Sequence, residues 1–274
     1  MRRAGERSPG GSWRQRCARL QWLVAAVLLA ACATSPLGRD QLLLFPQDEV
    51  NRMGVAAFRE LQASTPVSGD REATAYVRCV ANAITALPAA GGEAWEITLF
   101  RDPQVNAFAL PGGKIGIYEG LLRVAQNQHQ LATVVAHEVA HVIAQHSNER
   151  ISTQYATSAG LDLIGAVAGR DTVVKRTLFG LLGVGAQVGV LLPFSRGQES
   201  EADLIGLELA AEAGFDPRES VALWRNMMTE GGEGPPEFLS THPSGETRIR
   251  QLQDNMPRAL ALAEGAARRP DCSR

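Results

Sequence analysis

Positive charge is scarce outside the first 31 residues of this 274-residue chain. Those residues hold Arg2, Arg3, Arg7, Arg14, Arg16 and Arg19 against one acid, Glu6, leaving 21 basic and 28 acidic residues beyond them, about −7. Binding nucleic acid means neutralising phosphates with clustered Lys and Arg, so the acidic body excludes that partner. Internal repeats are absent, which excludes a repeat architecture. Apolar runs fit to cross a bilayer are also lacking. Trp22–Ala31 is too short, and Thr177–Ser195, though uncharged, carries four glycines, a glutamine and Pro193. A hydrophobic content of 45% with 20% charged residues excludes a wholly disordered chain.

The short apolar run has its own reading. An arginine-rich start followed by Trp22–Ala31 is an export signal. Its end, Leu29-Ala30-Ala31-Cys32, resembles the bacterial lipoprotein box, which implies cleavage before Cys32 and a diacylglyceryl group on its sulfur. Two acyl chains hold a protein on a membrane without a spanning helix. Ala33 is not aspartate, which by resemblance to the enterobacterial sorting rule favours the outer membrane over the inner. Of the four cysteines, Cys17 leaves with the signal and Cys32 is lipidated, so Cys79 and Cys272 remain. In an oxidising compartment this even pair either bonds, tying the C-terminal tail to an early helix, or stays as two thiols.

Turn formers and a short apolar patch make residues 32–47 a tether, with the body at 48–265 and a tail at 266–274. Apolar spacing predicts helices over Asp48–Leu61 and Arg71–Leu87. Trp95–Phe100 (WEITLF) alternates as a half-buried strand should. VNAFAL and KIGIY around Pro111-Gly112-Gly113 read as a hairpin. Further helices are expected at Asn127–His146, Glu199–Ala213, Pro217–Glu230 and Ser244–Glu264. The small residues of 177–195 suit a helix buried against its neighbours; a membrane helix with a GxxxG spacing at Gly185 and Gly189 is the alternative.

Five histidines are present, and two of them carry the argument. His137 and His141 are four apart, so on a helix both imidazoles face one way and can hold one metal ion. Glu138 lies beside the first, where its carboxylate reaches a water on that ion; this is the content of HExxH. The motif is short and needs a third ligand from elsewhere. Glu199, Glu201 and Asp203 are the candidates. Glu199 and Asp203 share a helical face, one to bind metal and one to orient a histidine, while Glu201 points away as a competitor ligand or a solvated charge. His129 and His146 read as surface residues at helix ends.

HEVAH at 137–141, ESEAD with Gly206, NAFALPGGKIGIYEGLL at 106–122 and THPSGETRI at 241–249 together resemble the M48 family of zinc metallopeptidases. The likeness is to its periplasmic lipoprotein branch, among the Oma1-like and beta-barrel assembly-enhancing proteases, and covers residues 50–255. It implies an α+β, mainly helical, zincin-like domain with a small sheet and hairpin packed on the HExxH helix. It further implies one zinc ion held by His137, His141 and Glu199, with Glu138 as base and Asp203 as a supporting acid. His242 and Arg248 are implied near the metal, stabilising an oxyanion or gating access; whether His242 assists or blocks stays open. Asn106, Ala107 and Phe108 are implied on an edge strand that pairs with extended substrate. The function expected is a lipid-anchored endopeptidase acting in the periplasm on unfolded or misassembled proteins, outer-membrane proteins among them. The alternative is a chaperone-like lipoprotein that holds such clients with little proteolysis. An intact Glu138 argues against it, since pure binding needs no base.

Overall fold

A computed structural model describes residues 32–92, 94–167, 194–229, 237–242 and 245–272. The export signal at 1–31 and nearly all of the uncharged stretch at 177–195 lie outside these residues.

Residues 32–47, expected as a tether, begin as a short antiparallel pair, β1 (Cys32–Thr34) and β2 (Asp40–Leu42). Helix α1 (Gln47–Ser64) follows, starting behind Pro46, with Asp48 and Glu49 in its first turn where the helix dipole favours acids. In α2 (Arg71–Thr85) the Asp70 side chain accepts from Ala73 N–H, and Ala73, Tyr76, Val77, Val80, Ala81 and Ile84 form one buried stripe.

The sheet has β3 (Glu96–Phe100), β4 (Ala107–Leu110) and β5 (Lys114–Tyr118) in the order β3-β5-β4. β4 and β5 form the expected antiparallel hairpin, while β3 runs parallel to β5. The hairpin turn has Gly112 and Gly113 at φ 84° and 70°, a region open mainly to glycine. β4 is an edge strand among the described residues. Its Phe108 packs beneath the sheet with Phe58, Phe100 and Tyr118 in a separate aromatic cluster.

A single turn, α3 (Leu121–Val124), leads to α4 (Gln128–Ile143), capped by the Asn127 side chain, which accepts from His129 and Gln130 N–H. Every residue from Gln130 to His141 is buried, so α4 is the central helix of the molecule. It ends at Ile143 rather than running to His146 as the sequence reading has it, because Gln145 takes φ 54° and turns the chain. Helix α5 (His146–Val167) then starts in a new direction. Helix α6 (Arg196–Glu212) crosses α4 and is opened by a capping box between Ser195 and Gln198. Helices α7 (Glu219–Thr229), α8 (Glu237–Thr241) and α9 (Glu246–Gly265) close over α4 and α6. A disulfide between Cys79 on α2 and Cys272 ties the tail back across 193 residues. Mainly helical, with small sheets, the chain has the α+β zincin-like architecture.

Candidate metal centre

The centre lies where α4 and α6 touch. They can touch because Gly206 has no side chain: a β-carbon there would meet His137 N at 2.9 Å. The contact brings Glu199, one turn into α6, over the two histidines of α4. His137 Nε2 and His141 Nε2 are 3.1 Å apart. Glu199 Oε2 is 3.5 Å from the first and Oε1 3.4 Å from the second. His242, just past α8, brings Nδ1 to 3.2 Å from His137 Nε2 and 3.0 Å from Glu199 Oε1. One ligand atom from each of these four buried residues lies within 4.8 Å of all the others.

These separations test the fit to zinc. Ligands about 2.0–2.1 Å from a tetrahedral ion stand about 3.3 Å from one another, and the observed distances bracket that value. Imidazole nitrogens and a carboxylate are also the donors zinc prefers. Glu138 adds a further sign, since its buried Oε1 makes no hydrogen bond while Oε2 accepts from Ala109 N–H at 3.2 Å. The donor set fits the ion.

Around this cluster sit the groups that orient it. Asp203 Oδ1 meets His137 Nδ1 at 3.1 Å. Arg248 gives Asp203 two hydrogen bonds and places Nη1 2.8 Å from Glu199 Oε2, while its guanidinium lies over the Trp224 ring. It is thus committed to two carboxylates and is poorly placed for the oxyanion role the sequence suggested. Asn106, Ala107, Phe108 and Ala109 line a small cavity with Glu138, Phe194, Thr241 and His242. The Asn106 side chain accepts from Ala107 N–H, and the Phe108 ring belongs to the core beneath.

Burial sets the charges as much as contact does. At His137 burial disfavours the imidazolium, yet Asp203 and Glu199 outweigh it and raise the pKa to about 9. At His141 burial prevails and holds the ring neutral, well below 6.5. Burial also pushes the Glu138 carboxyl upward. It opposes ionisation of Glu199 and Asp203 too, but His242 and the ligand histidines hold Glu199 down, and Arg248 and His137 hold Asp203 down.

Two sequence expectations are overturned here. His146 is not a surface residue: it is wholly buried, with Nδ1 2.9 Å from His141 Nδ1 and Nε2 3.1 Å from Glu201 Oε2. Nor is Glu201 a solvated charge. It does face away from Glu199, but that face is covered by the β1–β2 turn, where Leu37 N–H and Arg39 Nε each reach it at 3.1 Å. The end of α4 at Ile143 hides both facts from a reading that continues one helix through His146. His129, the other histidine expected at the surface, is half-buried against Phe215 and accepts from Asp216 N–H. Phe194, which stacks over His141, also went unsuspected.

Two histidines and a glutamate from HExxH on one helix, met by a carboxylate from a crossing helix, define a metallopeptidase of the zincin class. The family model described as Peptidase family M48 matches residues 71–256. The chain is 40% identical over 225 residues to the mitochondrial metalloendopeptidase OMA1 of Schizosaccharomyces pombe, covering 79% of this chain and 64% of that protein. It is 30% identical over 213 residues to the beta-barrel assembly-enhancing protease of Yersinia pestis, covering 76% of this chain and 44% of that one. The Escherichia coli protein of the same name is 28% identical, covering 74% and 43%. The chain therefore spans about two fifths to two thirds of the length of these relatives. It belongs to peptidase family M48, whose members are zinc-dependent.

Proposed function

We propose that the chain is a zinc endopeptidase in which His137, His141 and Glu199 hold the ion and Glu138 is the general base. The convergence of these three ligands beside Glu138, whose Oε1 accepts no hydrogen bond, carries the reading. When bound, zinc would acidify a water molecule and polarise a peptide carbonyl. Glu138 Oε1 would accept the proton such a water gives up, while Ala109 N–H fixes its other oxygen. Asp203 Oδ1, 3.1 Å from His137 Nδ1, favours the proton on that nitrogen and leaves Nε2 for the metal side. Arg248 holds Glu199 and Asp203 in register.

His242 occupies the remaining corner of the donor set, with Nε2 3.4 Å from Glu138 Oε1. The space beside it, about 10 Å³, does not hold even one residue of substrate. His242 and Phe194 border the space along β4 where extended polypeptide would lie. Backbone pairing on an edge strand selects extended chain over sequence, which suits unfolded or misassembled substrates, outer-membrane proteins among them. Lipid attachment at Cys32 is supported by the Leu29–Cys32 box, and the outer membrane by Ala33 where a sorting aspartate would stand.

Glu138→Gln tests the reading. It should keep one zinc per chain and lower casein cleavage at least about 10²-fold. Undiminished cleavage rejects the base, and Glu199→Ala retaining zinc while Glu201→Ala loses it rejects the ligand set.

A further inference from the structure

We propose that His146 is a positioning residue for the metal site, passing the orienting charge of Glu201 to the ligand His141; this rests on the zinc reading above. His141 turns Nε2 toward His137 and Glu199, so its proton must sit on Nδ1. That N–H points at His146 Nδ1, 2.9 Å away, which can only accept. His146 therefore carries its own proton on Nε2 and donates it to Glu201 Oε2 at 3.1 Å. Each tautomer is fixed by the one before, and the direction of the relay is set by the metal side.

The carboxylate at its end is itself held. Glu201 Oε1 accepts from Leu37 N–H and Oε2 from Arg39 Nε. The Arg39 guanidinium also forks onto Glu149, which accepts from Gln198 and Gln41 as well. His137 has its carboxylate directly, Asp203 at 3.1 Å; His141 has one through a second imidazole. A carboxylate behind a ligand histidine fixes the ring and raises its basicity toward metal, and losing such a partner typically costs about 10–100-fold in affinity. Neither oxygen nor nitrogen in this relay faces solvent, because His146 is fully buried and Glu201 nearly so.

The experiment is zinc titration of the purified, metal-free chain against a competing chelator, with thermal unfolding of the metal-free form and the visible spectrum of the cobalt form alongside. His146→Leu removes the acceptor and should weaken zinc binding about 10–100-fold and shift the cobalt bands, on top of the metal-free stability lost with its hydrogen bond to Glu201. His146→Asn puts an amide oxygen where Nδ1 stood and should recover most of the affinity and the spectrum. A purely structural histidine would give unaltered metal binding in the leucine variant, or no rescue of binding and spectrum by asparagine. Any of those results overturns the proposal. Should His146→Leu not fold, Glu201→Gln keeps the shape, removes the anion and must also weaken zinc; unchanged affinity there overturns the proposal too. A wild-type chain that takes up no metal overturns the peptidase reading with it, whereas equal uptake by wild type and variants overturns the relay alone.

Discussion

The α-carbon of Gly206 lies so close to the backbone of His137 that a methyl group there would stand 2.9 Å from its nitrogen and 3.0 Å from its α-carbon. The two helices that supply the ligands are spaced by this absence. Gly206→Ala forces α4 and α6 apart and draws Glu199 and Asp203 away from the histidines. Overpacking of this kind costs about 1–3 kcal/mol. Urea unfolding of the metal-free protein should show that loss, and zinc titration should show weaker binding; a variant with native zinc affinity contradicts the spacing role.

Arg248 holds Asp203 ionised in a buried site and lies 2.8 Å from Glu199, which His242 and the two α4 histidines also hold down. Arg248→Met leaves two buried carboxylates uncompensated, a change of about 3–5 kcal/mol. The penalty should be largest without metal and shrink when zinc neutralises Glu199. Denaturation with and without saturating zinc measures the difference. Equal penalties would mean that the arginine serves packing on Trp224 instead.

Acid should strip a specific part of the stability. Burial raises the Glu201 carboxyl, but hydrogen bonds from His146, Ser35 and Leu37 outweigh it and hold the pKa at about 2, below the ordinary 4.5. The folded state thus resists the proton that the unfolded state accepts, so this contribution is complete above about pH 4.5 and fades as pH falls toward 2. In chelator, the melting-temperature gap between wild type and Glu201→Gln should be widest near neutrality and narrow below pH 4.5. A gap that grows in acid would refute the assignment.

Opening the Cys79–Cys272 bond frees a loop of 193 residues. Chain entropy assigns such a crosslink about 5 kcal/mol at most. Replacing both cysteines by serine should lower the melting temperature by several degrees, and adding a reductant to wild type should reproduce the shift. No shift on reduction would show that the tail is held by its other contacts, such as Cys272 N–H to Gln128 at 2.7 Å.

How much of this is legible in the sequence depends on whether the signal is local. Helices with one apolar stripe, such as α2, and the hairpin with its Pro-Gly-Gly turn follow from period and turn chemistry alone. The histidine pair of the proposed site is legible because its geometry is intrahelical, a four-residue step in α4, whereas the choice of Glu199 over Glu201 rests on the family resemblance. The parallel pairing of β3 with β5 is not, since it depends on a crossover that no short window encodes. His146 fails for a similar reason. Its burial follows from one left-handed residue, Gln145, that redirects the chain, and glutamine gives no warning of that conformation. Glu201 lies on the face opposite Glu199, as helical spacing requires, but a helical wheel cannot say that the β1–β2 turn covers that face.

Helix α4 is gripped at both ends by segments remote in sequence. Near its start, Gln128 binds the tail through Pro270 and Cys272; just past its end, Gln41 Nε2 donates to Ala144 O at 2.7 Å. Neither end can fray without releasing a distant part of the chain, so the amides of His137 to His141 should be among the slowest in the molecule to exchange with deuterium.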